Sequence, residues 1–126
     1  MAIRAAALNK NLVRGEQALT VTWAGLTQAS LDTGDISCFA DYGDKTFQVI
    51  GTLGVAGSVL IEGSNDGVNF SPLSNRQGTA MSFTAIGMNT SQDKPMFVRP
   101  RVTAGDGTTS LTVIVACHRS DFSVIG

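Results

Sequence analysis

At 126 residues the chain has room for one domain with a substantial core and not for two. Its formal net charge is −1 and 15% of its residues are charged, which excludes the broad electrostatic field that gathers nucleic acid or anionic membrane. Its 14 glycines, its two glutamates (Glu16 and Glu62) and the β-branched residues around Val21, Val49, Val59, Val98 and Val113 exclude a chain built of long helices.

Residues 1–17 lack strand periodicity and carry Arg4, Lys10 and Arg14 against the single acid Glu16, so they read as an irregular N-terminal arm. A frayed end and a short helix over residues 5–12 are the other readings open there, although a helix that short is marginal without something to pack on. The apolar run at the start is too short for a secretory signal, and no stretch approaches the ~20 apolar residues that cross a bilayer. The expectation is a soluble protein made in the cytoplasm, with no membrane partner and no direct nucleic-acid partner.

From Leu19 a two-residue alternation takes over, with Leu19, Val21 and Trp23 on one side of a strand and Thr20 and Thr22 on the other. A polar connection over residues 27–35 leads to an expected strand at 36–40, and Asp41-Tyr42-Gly43-Asp44 reads as a turn. Further strands are expected at 45–53, 58–64, 68–73, 80–86, 95–103 and 108–118. Between the second and third of these, Gly63-Ser64-Asn65-Asp66-Gly67 has the residues that tolerate positive φ and a tight reversal, and Ala104-Gly105-Asp106-Gly107-Thr108 repeats that grammar.

About eight short strands with no crossover helix predict an all-β antiparallel sandwich of jelly-roll or Greek-key type over residues 18–118, followed by a tail over 119–126. The expected core is Leu19, Val21, Trp23, Phe47, Val49, Val59, Ile61, Phe70, Phe83, Val98, Val102, Leu111, Val113 and Val115.

Catalytic or metal chemistry finds little footing. His118 is the single histidine; Cys117 beside it belongs to the opposite face of a strand, so the two do not form a nucleophile–base pair. Asp32, Asp35, Asp41 and Asp44 lie close in sequence but lack the calcium-loop spacing, and solvated loop acids are the plainer reading. The run from Gly51 to Gly57 has glycines at phosphate-loop spacing without the lysine or the strand-to-helix context, and reads as a strand end and a turn. Cys38 and Cys117 stand apart in apolar strands and read as small buried hydrophobes, with a disulfide between them left open. No enzyme, cofactor or metal is expected.

Interaction is the better prospect. Arg99 and Arg101 alternate with Val98, Pro100 and Val102, which places both guanidinium groups with Phe97 on the face away from the core. That face would grip a partner carboxylate, or would simply be solvated. Pro100 cannot donate to a ladder, so its strand is expected at an edge or bulged there. The arm with Arg4 and Arg14, and the apolar tail with Phe122, are expected to reach onto a neighbouring subunit or a host surface.

The residues from Val59 to Leu73, with Ser64-Asn65-Asp66-Gly67-Val68-Asn69-Phe70 at their centre, and the later run Val98-Arg99-Pro100-Arg101-Val102-Thr103 followed by Gly105-Asp106-Gly107-Thr108-Thr109-Ser110-Leu111-Thr112-Val113 resemble small structural proteins of tailed bacteriophages. The likeness is to an "SNDGxNF" hairpin and a "VRPRVTxGDGTTSLTV" closing hairpin, and spans roughly residues 45–116. It implies a capsid decoration, or cement, protein: β-rich, often trimeric, bound to the major capsid protein on the virion exterior over the joints between capsomers. The segment 64–70 also resembles the turn of discoidin-like, galactose-binding domains, which implies a carbohydrate-binding module, and the same hairpin grammar occurs in tail or baseplate parts that attach to a host.

Overall fold

The computed structural model describes residues 3–9, 18–28, 32–35 and 44–118, and all statements of structure refer to these. The regular elements are strands throughout: β1 (Ile3–Arg4), β2 (Ala6–Asn9), β3 (Ala18–Thr27), β4 (Thr33–Gly34), β5 (Asp44–Thr52), β6 (Ser58–Ser64), β7 (Ser71–Pro72), β8 (Ser82–Phe83), β9 (Gly87–Thr90), β10 (Phe97–Ala104) and β11 (Ser110–His118). They make two sheets, β1-β4-β10-β6-β7 with β8 also on β6, and β2-β3-β11-β5-β9.

These orders are those of a jelly roll. β3 lies beside β11 in one sheet and β4 beside β10 in the other; β5 then flanks β11 as β6 flanks β10, and β9 flanks β5 as the broken pair β7 and β8 flanks β6. With β7 and β8 counted as one interrupted strand, eight strands form the roll, and β1 and β2 are additions at two of its edges. The all-β sandwich expected from the alternation is therefore the observed fold.

Alternation also locates the core. β11 buries Leu111, Val113, Val115 and Cys117 and leaves Thr112, Ile114 and Ala116 on its outer side, while β5 buries Phe47 and Val49 in the same way. Trp23 is fully buried and its ring N–H donates to the Asp35 carbonyl at 3.0 Å, so the bulkiest core side chain is left with no unpaired polar group. Leu26, Leu73, Met81 and Cys117 join the predicted core. Phe70 does not: it is half-buried on the outer side, because the chain around it is a loop and not a strand.

Five readings need correction or completion. The irregular arm is corrected over residues 3–9, which pair as β1, parallel to β4, and as antiparallel β2 on β3, so the short-helix reading does not hold there. Short runs with little alternation become strands when a neighbouring strand offers an open edge, as the ten-residue β3 does for β2 and β4 for β1. The strand expected at 68–73 shrinks to Ser71–Pro72, since the amides of Gly67, Val68 and Asn69 donate to the Ser64 and Asp66 side chains and not to a ladder. The strand expected at 80–86 shrinks to Ser82–Phe83, and β9 follows it.

The closing hairpin is not a hairpin. β10 pairs with β6 and β4, β11 with β3 and β5, so residues 105–109 carry the chain from one sheet to the other. Pro100 is likewise not on an edge strand: β10 lies between β4 and β6, with Pro100 opposite Ile61, and the ladder slips only later, between Val102 and Ala104. The missing donor is tolerated because its side faces the two-residue β4, where the Val102 amide two positions on donates to the Asp32 carbonyl. Gly34 fits there for the same reason, since a Cβ on it would fall within 2.8 Å of both Trp23 and Pro100. The strand expected at 36–40 and most of the turn at 41–44 lie outside the described residues.

Candidate interaction surfaces

The outer side of β6 and β10 is organised by one carboxylate. Ladder register sets Glu62 opposite Arg99 and one step from Arg101. The Arg99 Nε–H donates to Glu62 Oε1 at 3.0 Å, the Arg101 Nε–H donates to Oε2 at 2.9 Å, and Arg101 Nη2 also lies 2.9 Å from Oε2. Glu62 is 4% exposed, while the two guanidinium groups keep an outer edge in solvent. Arg99 also lies over the Phe70 ring, 3.9 Å from its centroid, so cation–π attraction fixes its plane. Two permanent cations on one carboxylate leave this patch with a surplus positive charge. Guanidinium does not release a proton, so the cluster is suited to holding an anion and not to acid–base work.

The sequence places Phe97, Arg99 and Arg101 on the outer side, and there they are. What it did not bring forward is that the carboxylate they meet is this chain's own Glu62. The alternation of each strand was readable, but the register between β6 and β10 joins residues 37 and 39 positions apart and leaves no local trace. Arg4 is placed similarly: its Nε–H donates to Asp32 Oδ2 at 2.9 Å, and the Thr27 amide and hydroxyl donate to the same oxygen. Burial would push the Asp32 carboxyl up, but these donors together hold it below its ordinary value. Arg14 and Phe122 lie outside the described residues, as do Cys38 and Asp41.

Two aspartates act as loop hubs. Asp66 accepts the amides of Asn69 and Val68 on Oδ1, the Asn69 side-chain amide on Oδ2 and the Ser64 hydroxyl on Oδ1, and these donors hold its carboxyl far below the usual carboxylate range. Gly67 takes the positive φ, +78°, that the reversal needs. Asp106 accepts from the Thr108 hydroxyl, from the Val55 amide and from the Thr108 amide, which lowers its carboxyl to about 2. The Val55 bond ties the β5–β6 corner to the β10–β11 corner, and residues 51–57 are indeed a strand end and a turn.

The outer side of the other sheet is different in kind. Its middle row runs Ala7, Thr22, Ile114, Gln48, Met88 across all five strands, and the next row runs through Thr20, Ala116, Thr46 and Thr90. None of these carries a charge. Asp44 and His118 stand only at the end of the sheet, where Lys94 lies 3.6 Å from Asp44.

Cys117 points inward and His118 outward, as adjacent strand residues must. Burial raises the Cys117 thiol to about 11, with Lys45 pulling the other way, and Cys117 is in no disulfide. Among the described residues no three of His, Cys, Asp or Glu gather as a metal-holding group, and Asp32 and Asp44 face different cations. A shallow polar cavity of about 280 Å³ opens beside the 64–70 loop, lined by Ser64, Asn65, Asn69, Asp93 and the edges of Pro72 and Pro95.

No family model and no curated protein matches the chain. Among solved structures it is similar in fold to the SPBc2 prophage-derived protein YomS, with a TM-score of 0.56 at 11% identity over 79% of this chain and 93% of that one. Weaker likenesses are to hydroxypropylphosphonic acid epoxidase from S. wedmorenis (TM-score 0.42, 15% identity, 89% of this chain, 55% of that one) and to a cupin domain from Bordetella pertussis (TM-score 0.40, 13% identity, 95% and 99%). At scores this low the last two carry no argument about this chain. The fold and its surfaces define a jelly-roll β-sandwich with one ion-clamped outer face and one neutral outer face.

Proposed function

We propose that this chain is a non-enzymatic structural protein of a phage virion, of the capsid decoration type. It binds the major capsid protein on the outside of the shell and acts as a homotrimer over the junctions between capsomers. The observation that carries the reading is the fold shared with a prophage-derived protein over most of both chains, together with the runs over residues 59–73 and 98–113 that resemble phage structural proteins. The physical demand also fits. A shell under pressure from packed DNA gains from a clamp that binds the assembled joint better than its separated parts, and mass action then stabilises the assembled state. A trimer repeats one contact around a local threefold axis. The Arg99 and Arg101 patch, with its surplus positive charge beside Phe70 and Phe97, suits an acidic loop of the capsid protein.

Mass spectrometry of purified virions and antibody labelling of this chain under the electron microscope test the reading. Labelling over the head supports it, whereas labelling confined to the tail, or absence from the particle, overturns it. A second reading, a glycan-binding module of a tail or baseplate part, is favoured by the polar cavity beside the 64–70 loop, whose amides and Asp93 carboxylate suit hydroxyl groups. Binding on a glycan array that Asp93→Ala abolishes would support it over the decoration role.

A further inference from the structure

We propose that the cleft lined by Arg76 and Lys94, past the ends of β7 and β9, binds the phosphate group of a small phosphate or phosphate ester. Such a site is independent of the decoration role.

Two locked turns build it. Beyond β7 and β9 the two sheets come together, where Asn75 bridges Ser91 and the Gln92 amide donates to the Ser74 carbonyl at 2.9 Å. The 75–79 turn is closed by the Asn75 side-chain oxygen, which accepts the Gln77 and Thr79 amides, and by the Gly78 amide, which donates to the Asn75 carbonyl. The 91–94 turn is closed by the Ser91 hydroxyl, which donates to the Asp93 carbonyl at 2.7 Å. Asn75 and Ser91 are both buried, so the backbones that carry Arg76 and Lys94 are fixed before any ligand arrives. Among the described residues, Arg76, Ser91, Gln92 and Lys94 line this cleft of about 280 Å³. That lies just under the roughly 300 Å³ at which small-molecule sites begin, a size for a phosphate with a short carrier.

The charge in the cleft is uncommitted. Arg4 pairs with Asp32, and Arg99 and Arg101 pair with Glu62, but the Arg76 guanidinium meets no carboxylate and no hydrogen-bond acceptor among the described residues. Lys94 lies 3.6 Å from Asp44, beyond hydrogen-bond length, and both of these side chains are exposed, so that pair is weak. Asp93, between Gln92 and Lys94 in sequence, lines the cleft beside the 64–70 loop instead, and its Oδ2 accepts the Ser74 amide at 2.7 Å. Of the described acids, only Asp44 is paired with either cation.

Such a set selects its ligand. A carboxylate has one charge and two oxygens, which a single guanidinium fork satisfies. A phosphate ester has a charge of about −1.5 to −2 at neutral pH and three strong acceptor oxygens, which call on both cations. Arg76 and Lys94 offer donors alone, and the Gln92 amide adds more. The Ser91 hydroxyl has given its proton to the Asp93 carbonyl, so its oxygen is left to accept from a hydroxyl on the carrier. The Arg99 and Arg101 patch is less suited, because Glu62 already takes the Nε–H of both.

The test is titration of the full isotope-labelled chain with glycerol 3-phosphate, inorganic phosphate and acetate at fixed ionic strength, read by amide shifts in nuclear magnetic resonance. Glycerol 3-phosphate is expected to shift residues 75–79 and 91–94 saturably, with a Kd of about 1 mM. Arg76→Ala and Lys94→Ala are each expected to weaken binding at least about fivefold, and acetate to bind at least about tenfold more weakly than phosphate. Arg76→Gln and Lys94→Gln serve where an alanine variant does not fold. Equal affinity for inorganic phosphate and the ester assigns the site to the phosphate group alone, while tighter binding of the ester brings in Ser91 and Gln92; either result supports the site. Shifts that do not saturate by about 20 mM, that fall at residues 99–101 instead, or that survive loss of both cations overturn it, as does acetate bound as tightly as phosphate.

Discussion

The two outer faces of the sandwich put opposite physical chemistry on the same backbone pattern. Both alternate buried and outward residues over long ladders, and both sheets enclose the same core. One face holds its outward residues in place with a half-exposed network around a buried carboxylate, Glu62 between Arg99 and Arg101. The other presents Thr, Ala, Ile, Gln and Met with no ion pair across its middle. On the first face the isolated subunit already satisfies its polar groups, so substitutions there act on folding. On the second, the outward residues form no ion pair at the middle of the sheet, so single substitutions there should cost the fold little.

The largest effect is expected from Glu62→Ala. It leaves two guanidinium groups facing each other without their carboxylate and should destabilise the fold by about 2–4 kcal/mol, read as the free energy of urea unfolding. If the loss stays under about 1 kcal/mol, the network does not organise this face. Mild acid should act in the same direction through the loop hubs. The folded carboxyls of Asp66 and Asp106 lie below their ordinary 3.8, so folding binds fewer protons than unfolding does. Their stabilisation is complete above about pH 4 and fades as pH falls toward 2, where Asp106 titrates in the folded state. Thermal unfolding measured from pH 6 to pH 2 should show Tm falling below pH 4, and less steeply for Asp106→Asn than for wild type.

Removing the ring under Arg99 is a smaller perturbation. Phe70→Leu keeps bulk and loses the cation–π contact, for an expected cost of about 0.5–1 kcal/mol. Smaller still, and opposite in sign, Ala56→Gly should stabilise by about 0.5–1 kcal/mol, because Ala56 sits at φ +57° where a side chain is strained. On the neutral face, Gln48→Ala should change unfolding of the monomer by no more than about 0.5 kcal/mol. A larger loss there would erase the contrast between the faces.

What the sequence by itself determined is local. The period of two named the inward residues of β3, β5, β6, β10 and β11, and hence the all-β class and most of the core, because each strand's own pleat sends alternate side chains to opposite sides. It also placed Phe97, Arg99 and Arg101 outward and set Cys117 and His118 back to back. Only the tertiary structure decided which strands are neighbours. It parted β10 from β11 into different sheets although a turn joins them, gave Arg99 and Arg101 a partner in Glu62, made strands of residues 3–9, and aligned five uncharged outward residues into one row. Partnership in a sheet is a long-range choice made by the burial of both faces at once, and a turn motif reads the same whether it closes a hairpin or carries the chain across the sandwich.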